Sequence, residues 1–163
     1  MLLALLLLIA PGALEAPQPA TRPAPASLTG TVVSIHDGDT ISIRTATRTV
    51  RVRLYGIDCP EYRQPFSQRA RRFTSEMTFR KSVTVHIEGR DRYDRILGRV
   101  VVDGTDVNEA LVRNGLAWHY EIGAGDRRLA AAEKAARAAR AGLWADKQPV
   151  PPWRWRRRGG RGA

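Results

Sequence analysis

The chain has 163 residues, 43% hydrophobic and 26% charged, a balance that excludes a disordered protein and fits one domain with short extensions. Its 27 Lys and Arg oppose 16 Asp and Glu, and the net charge of +11 favours polyanionic partners, nucleic acid or an acidic membrane surface. A single cysteine excludes an internal disulfide, so the fold must rest on its core.

The opening "MLLALLLLIAPGALEAPQPA" carries a short apolar run, Leu2 to Ala10, followed by Pro11 and small residues. That run has the length of a signal-peptide core and is too short to span a bilayer comfortably, although no basic residue precedes it. Residues 1–20 are therefore expected to be a signal peptide, sending the protein to the periplasm or the exterior. Residues 21–27 belong to a Pro/Ala-rich linker without periodicity. No later segment is apolar enough to cross a membrane, so the mature domain is not expected to insert into one.

From Leu28 the pattern becomes β. Three short runs rich in Val, Ile and Thr are separated by turn signals at Asp37-Gly38-Asp39 and near Ala46-Thr47. In the third, Val50, Val52 and Leu54 share one face while Arg51, Arg53 and Tyr55 share the other. Phe66, Ala70, Phe73 and Met77 then recur at helical spacing. Two further β runs follow, "SVTVHI" and "ILGRVVVDG", the second ending in an Asp103-Gly104 turn. "DVNEALVRNGLAW" reads as a helix capped by Asp106 and stopped at Gly115. A last helix places Leu129, Ala132, Ala136, Ala139 and Leu143 on one stripe. The order βββ-α-ββ-α-α makes an α+β domain over residues 28–147, and a five-stranded OB-fold barrel with three packed helices is the expected architecture.

Four acids stand out: Asp37, Asp39, Asp58 and Glu61. Alone, "DGDT" is ordinary hairpin vocabulary and Asp58 an ordinary helix or strand breaker before Pro60. Together they are sharper. Asp39 opens one strand and Asp58 is expected to close its antiparallel neighbour, which would set the two carboxylates side by side. Paired carboxylates repel unless a cation or proton intervenes, and an all-oxygen pair suits Ca²⁺ or Mg²⁺ better than Zn²⁺. The three histidines, His36, His86 and His119, show no metal-ligand spacing and read as structural.

"IHDGDT", "VRLYGIDCPE", "DRYDR", "VNEALVRNGLAW" and "GLWAD" follow one another in this order over about Leu28 to Ala145. Together they resemble the staphylococcal-type nucleases, whose fold is an OB barrel with three helices. The resemblance implies that Asp39 and Asp58 ligate a catalytic Ca²⁺, that Cys59 adds its main-chain carbonyl, and that Asp37 lies near the metal. It implies Glu61 as general base on the attacking water, with Arg53 and Arg95 binding the phosphate and its transition state. Arg92 and Tyr93 would hold a terminal phosphate, and Tyr120 would contact the nucleotide. Each arginine also has a plainer reading: Arg53 as a solvated strand residue, Arg95 as an ion-pair partner of Asp91 or Asp94. This chain departs from the family pattern at Cys59, where the staphylococcal enzyme has Thr, and at Asp94, where "DRYGR" versions have Gly.

The tail, residues 148–163, interleaves Trp153 and Trp155 with Arg154, Arg156, Arg157 and Arg158. Such a mixture can stack bases and hold phosphates. The expectation is that the tryptophans dock on the barrel while Gly159 to Ala163 stay disordered. The functional expectation is a monomeric, secreted Ca²⁺-dependent endonuclease acting on single- or double-stranded DNA and on RNA, leaving 3′-phosphate ends. The alternative is a non-catalytic OB nucleic-acid-binding protein. A surface for an anionic membrane or cell wall would explain the charge but not the acids.

Overall fold

The computed structural model describes residues 26–120 and 125–159. The expected signal peptide, most of the linker and residues 160–163 lie outside the described residues. In chain order the elements are β1 (Ser27–Ile35), β2 (Thr40–Arg44), β3 (Thr49–Leu54), β4 (Ile57–Asp58), α1 (Ser67–Thr78), β5 (Ser82–Arg90), β6 (Ile96–Val102), β7 (Thr105–Asp106), α2 (Val107–Arg113), β8 (Trp118–His119), α3 (Arg127–Ala138), a 3-10 turn (Gly142–Ala145) and α4 (Pro152–Arg157).

The sheet runs β3-β2-β1-β5-β6-β7, and β3 also pairs with β6 in parallel, Val52 against Ile96 and Leu54 against Gly98. That second pairing closes β1, β2, β3, β5 and β6 into a five-stranded barrel, which removes the sheet's open edges. The period-2 alternation decides which side chains fill it. Val32, Ile41, Ile43, Val52, Val83, Val85 and Val100 are buried, while Arg51, on the opposite face of β3, is exposed. The Asp103-Gly104 turn has both residues at positive φ, 48° and 76°, the geometry whose twist matches a tight hairpin.

The helices cap the barrel. Ala70 of α1 is buried, with Phe66, Phe73 and Met77 packed against the core. Asp106 caps α2 by accepting a hydrogen bond from Glu109 N–H at 3.0 Å. The chain then stops turning at Gly115, φ 62°, where a Cβ would strike the Ala141 carbonyl. Leu129, Ala132 and Ala136 of α3 are buried as the stripe requires. The expected stripe overreaches, however: α3 ends at Ala138, Ala139 is exposed, and Leu143 reaches the core from the 3-10 turn. Positive φ at Arg140 (50°) and Gly142 (53°) turns the chain there.

A second apolar cluster of Trp118, Ala136, Leu143 and Trp144 sits beside the barrel. Trp153 packs on it, its ring centroid 5.6 Å from that of Trp118. Its indole thus docks, though on this neighbouring cluster rather than on the barrel as expected, and the tail around it forms a fourth, short helix that the sequence pattern did not suggest. Pro151 and Pro152 preset its first turn, and both are buried.

Candidate active site

The loop between β1 and β2 is built to present Asp39. Asp37 Oδ1 accepts the Asp39 N–H at 3.0 Å, tightening the turn. Gly38 lies against α1 and the β4 end; a Cβ there would come within 2.8 Å of both Ala70 and Cys59. Thr74 donates its hydroxyl to the Gly38 carbonyl at 2.6 Å, fixing the loop to α1. Asp39 is 1% exposed. Its Oδ2 accepts the Cys59 N–H at 2.6 Å and its Oδ1 accepts from Thr40 Oγ1 at 3.3 Å.

Asp58 arrives differently from the simple strand-end picture. β3 stops at Leu54, the chain turns through Gly56 at φ 74°, and Asp58 sits on β4, paired with Trp118 of β8. The result still brings the two acids to one place. Arg53 joins Asp39 Oδ1 through Nη1 and Asp58 Oδ1 through Nη2, the latter at 2.7 Å. Asp58 is 2% exposed, so the pair is a buried acid site with a guanidinium spanning it. Burying two carboxylates is unfavourable unless charge and hydrogen bonds compensate, and here the Arg53 fork and the Cys59 N–H do so.

Glu61 follows the buried Pro60 in a turn closed by Gln64, whose N–H bonds the Glu61 carbonyl at 2.8 Å. Its carboxylate is held by Arg156 Nη1. Arg156 also grips Asp58, with Nη2 to Oδ2 at 2.9 Å and Nη1 to Oδ1 at 3.3 Å. Burial alone would lower the Arg156 pKa, but its bonds to Asp58 and Glu61 outweigh that and raise it. Sequence reasoning noticed the Trp/Arg alternation but assigned no residue of the tail to the site. The signal was the Pro-Pro-Trp start: a helix opening at Pro152 puts Arg156 one turn past Trp153.

The remaining expected residues lie apart from this cluster. Arg95 bonds Asp91 Oδ2 through Nε at 2.7 Å and stacks over Tyr93, 5.6 Å from the ring centre. Burial works against the Asp91 carboxylate, yet the bonds from Arg95 and from the Tyr93 N–H outweigh it and hold its pKa below the usual Asp range. Arg95 and Tyr93 line an open groove of about 410 Å³ with Ser42, Thr49 and Arg51. Arg92 lies over the outer Tyr93 ring, and Tyr93 is 65% exposed. Asp94 sits at φ 59°, a conformation natural to glycine, and its carboxylate pairs with Arg90 rather than Arg95. Tyr120 donates its N–H to the Gly56 carbonyl at 2.9 Å and packs on Trp153, half-exposed. Asp37 is exposed and touches the acid pair only through the Asp39 N–H. The Cys59 side chain is buried against Gly38, and burial pushes its thiol well above the ordinary range, so the thiol is not a ready nucleophile or ligand.

Whether a cation suits this place is a question of donors. The buried pair offers only carboxylate oxygens, backed by the Cys59 main chain, which fits a hard oxygen-seeking ion such as Ca²⁺ or Mg²⁺. Among the described residues no three His, Cys, Asp or Glu side chains converge in a metal cluster, and the Glu61 carboxylate is held by Arg156.

A family profile describing staphylococcal nuclease homologues matches residues 51–146, the stretch that carries Arg53, Asp58, Glu61 and Arg95. "Protein ParB" of Escherichia coli is 44% identical over 146 residues, covering 83% of this chain and 82% of its own. An "uncharacterized endonuclease" of the same organism is 43% identical, covering 82% of this chain and 88% of its own. A "micrococcal nuclease" of Shigella flexneri is 41% identical, with coverage of 83% and 84%. With the closed OB barrel, the matched region and relatives spanning most of both chains, this protein belongs to the staphylococcal nuclease homologues and is a nuclease.

Proposed function

We propose that the protein is a Ca²⁺-dependent endonuclease that hydrolyses DNA and RNA with low sequence specificity and leaves 3′-phosphate ends. It acts as an exported monomer, in the periplasm or outside the cell. The observation that carries the reading is the buried pair Asp39 and Asp58 with the Arg53 guanidinium between them. The name of the Shigella relative supports nuclease chemistry of the micrococcal kind. Among the described residues no helix is long and apolar enough to cross a membrane.

Asp39, Asp58 and the Cys59 carbonyl would hold the ion. When bound, it supplies positive charge to the non-bridging phosphate oxygens, which is what a phosphodiester needs before an anionic nucleophile can approach. The chain's own residues do the rest. Arg53, once its fork leaves Asp39 and Asp58, offers it to two phosphate oxygens and stabilises the charge that grows on them. Arg95, once released from Asp91, adds a second fork from the groove side. The Glu61 carboxylate takes a proton from water as the water oxygen bonds to phosphorus and the bond to the 5′-oxygen breaks. Arg92, Tyr93 and Tyr120 would contact the strand beyond the acid site, where an exposed ring can stack a base and a guanidinium can hold a phosphate.

The test is incubation of the purified protein with plasmid DNA and with single-stranded RNA, in Ca²⁺ or in chelator. Cleavage of both in Ca²⁺, with binding but no cleavage in chelator, is the expected result. Intact substrate in both conditions from a folded, nucleic-acid-binding protein would overturn the proposal in favour of a non-catalytic OB binding module.

A further inference from the structure

Among the described residues Arg156 is the one that the tail supplies to the site, and it occupies the atoms the reaction needs. Its fork covers both Asp58 oxygens and the Glu61 carboxylate. A carboxylate gripped by a two-pronged guanidinium has few lone pairs left for another cation, and two cations at one oxygen pair repel. The placement is not an accident of a loose end. α4 is tied down at its start, where Gln64 Nε2 donates to the Val150 carbonyl at 2.6 Å and Trp153 seats on Trp118. Gln64 belongs to the same turn as Glu61, so one turn anchors both partners. The far end is freer: the Arg156 side chain is 47% exposed, and Arg154, Arg157 and Arg158 around it are exposed. α4 therefore has a fixed apolar root and a cationic tip that phosphates can attract.

We propose that Arg156 is an internal competitor for the divalent cation, holding Asp58 and Glu61 until a nucleic-acid strand draws its guanidinium onto a phosphate. The proposal rests on the Ca²⁺ reading above and deepens it. Strand and cation then help each other, since each favours the state in which Arg156 has left the carboxylates, and such coupling is reciprocal. The tail thereby ties the readiness of the site to the presence of substrate.

Calcium binding measured by calorimetry on the full chain, without nucleic acid, tests this. Four proteins are compared: wild type, Arg156→Ala, Arg156→Lys and Arg154→Ala. Arg156→Ala is expected to bind Ca²⁺ about tenfold more tightly than wild type, within the usual span of coupled sites. Arg156→Lys, which keeps the charge but loses the fork, falls between. Arg154→Ala removes the same charge from the same helix and leaves the affinity near wild type. Equal affinity in wild type and Arg156→Ala, or equal tightening in Arg154→Ala, overturns the competitor. Absence of binding heat from all four folded proteins overturns the Ca²⁺ reading itself, and the competitor with it.

Discussion

Arg53 reaches two buried carboxylates from a strand face it shares with Arg51, and nothing in the alternation of β3 separates the two residues. What separates them is register: Arg53 pairs with Thr40, next to Asp39, at the end of the hairpin where the chain turns toward Asp58. Arg51 sits two residues nearer the hairpin loop, where no buried acid faces it. Glu61 is a different kind of residue, half-exposed and positioned by a turn, so its loss should not disturb the barrel. Glu61→Gln is expected to keep nucleic-acid affinity while turnover falls by roughly 10²- to 10⁴-fold, the usual worth of a general base. Single-turnover cleavage beside a binding isotherm checks it; unchanged turnover would remove Glu61 from the role. For Arg95 the sequence left two ion-pair partners open, Asp91 and Asp94, and the fold chooses between them. The added acid at position 94 neighbours Arg95 in sequence, but the positive φ of the turn sends it to Arg90, and Asp91 takes Arg95 instead.

The elements around the site are locked together by one polar anchor. Arg99 of β6 bonds Asp126, the N-cap of α3, and lies 3.6 Å from Asp106, the N-cap of α2, while Glu88 of β5 accepts from it at 3.2 Å. One guanidinium thus fixes the starts of two helices to the barrel wall. Burial opposes the Asp126 carboxylate, but Arg99 and the backbone N–H groups of Arg128 and Leu129 outweigh it and hold its pKa below the usual Asp range. A carboxyl depressed on folding stabilises the protein above its unfolded pKa, and the contribution fades as pH falls through the folded value. Asp126→Asn keeps a competent cap and removes only the charge. It should cost about 1–3 kcal/mol at neutral pH, with the gap from wild type closing below about pH 4. Urea unfolding over a pH series reads this directly, and a gap independent of pH would contradict it. α4 teaches the opposite lesson about legibility. Six residues give too few turns for any periodicity, and only the indole seat on Trp118 and the Gln64 bond reveal where the helix lies.

At the scale of the whole molecule, a chain of net charge +11 buries two carboxylates, Asp39 and Asp58, at one place. The field draws phosphates to the surface, while the two buried carboxylates are held by the arginines Arg53 and Arg156. Nucleic-acid affinity in chelator should therefore fall steeply between 50 and 200 mM salt, by about 10³-fold if six phosphates are contacted. A salt-independent isotherm would mean that the arginines are not the contact surface. The sequence by itself determined the barrel, because alternating apolar residues at period two and a helical stripe at Phe66–Met77 are local patterns that burial must obey. It also determined which acids and arginines to suspect, since motifs that are ordinary one by one follow one another in the order of the staphylococcal-type nucleases they resemble. Only the tertiary structure decided which suspects meet. The closure of β3 on β6, the turn at Gly56 and the seat of α4 bring Asp39, Arg53, Asp58, Glu61 and Arg156 together while leaving Arg95 on Asp91. The reason is physical: a buried charge takes whichever counter-charge its surroundings hold within reach, and reach across 98 residues between Asp58 and Arg156 is a property of packing.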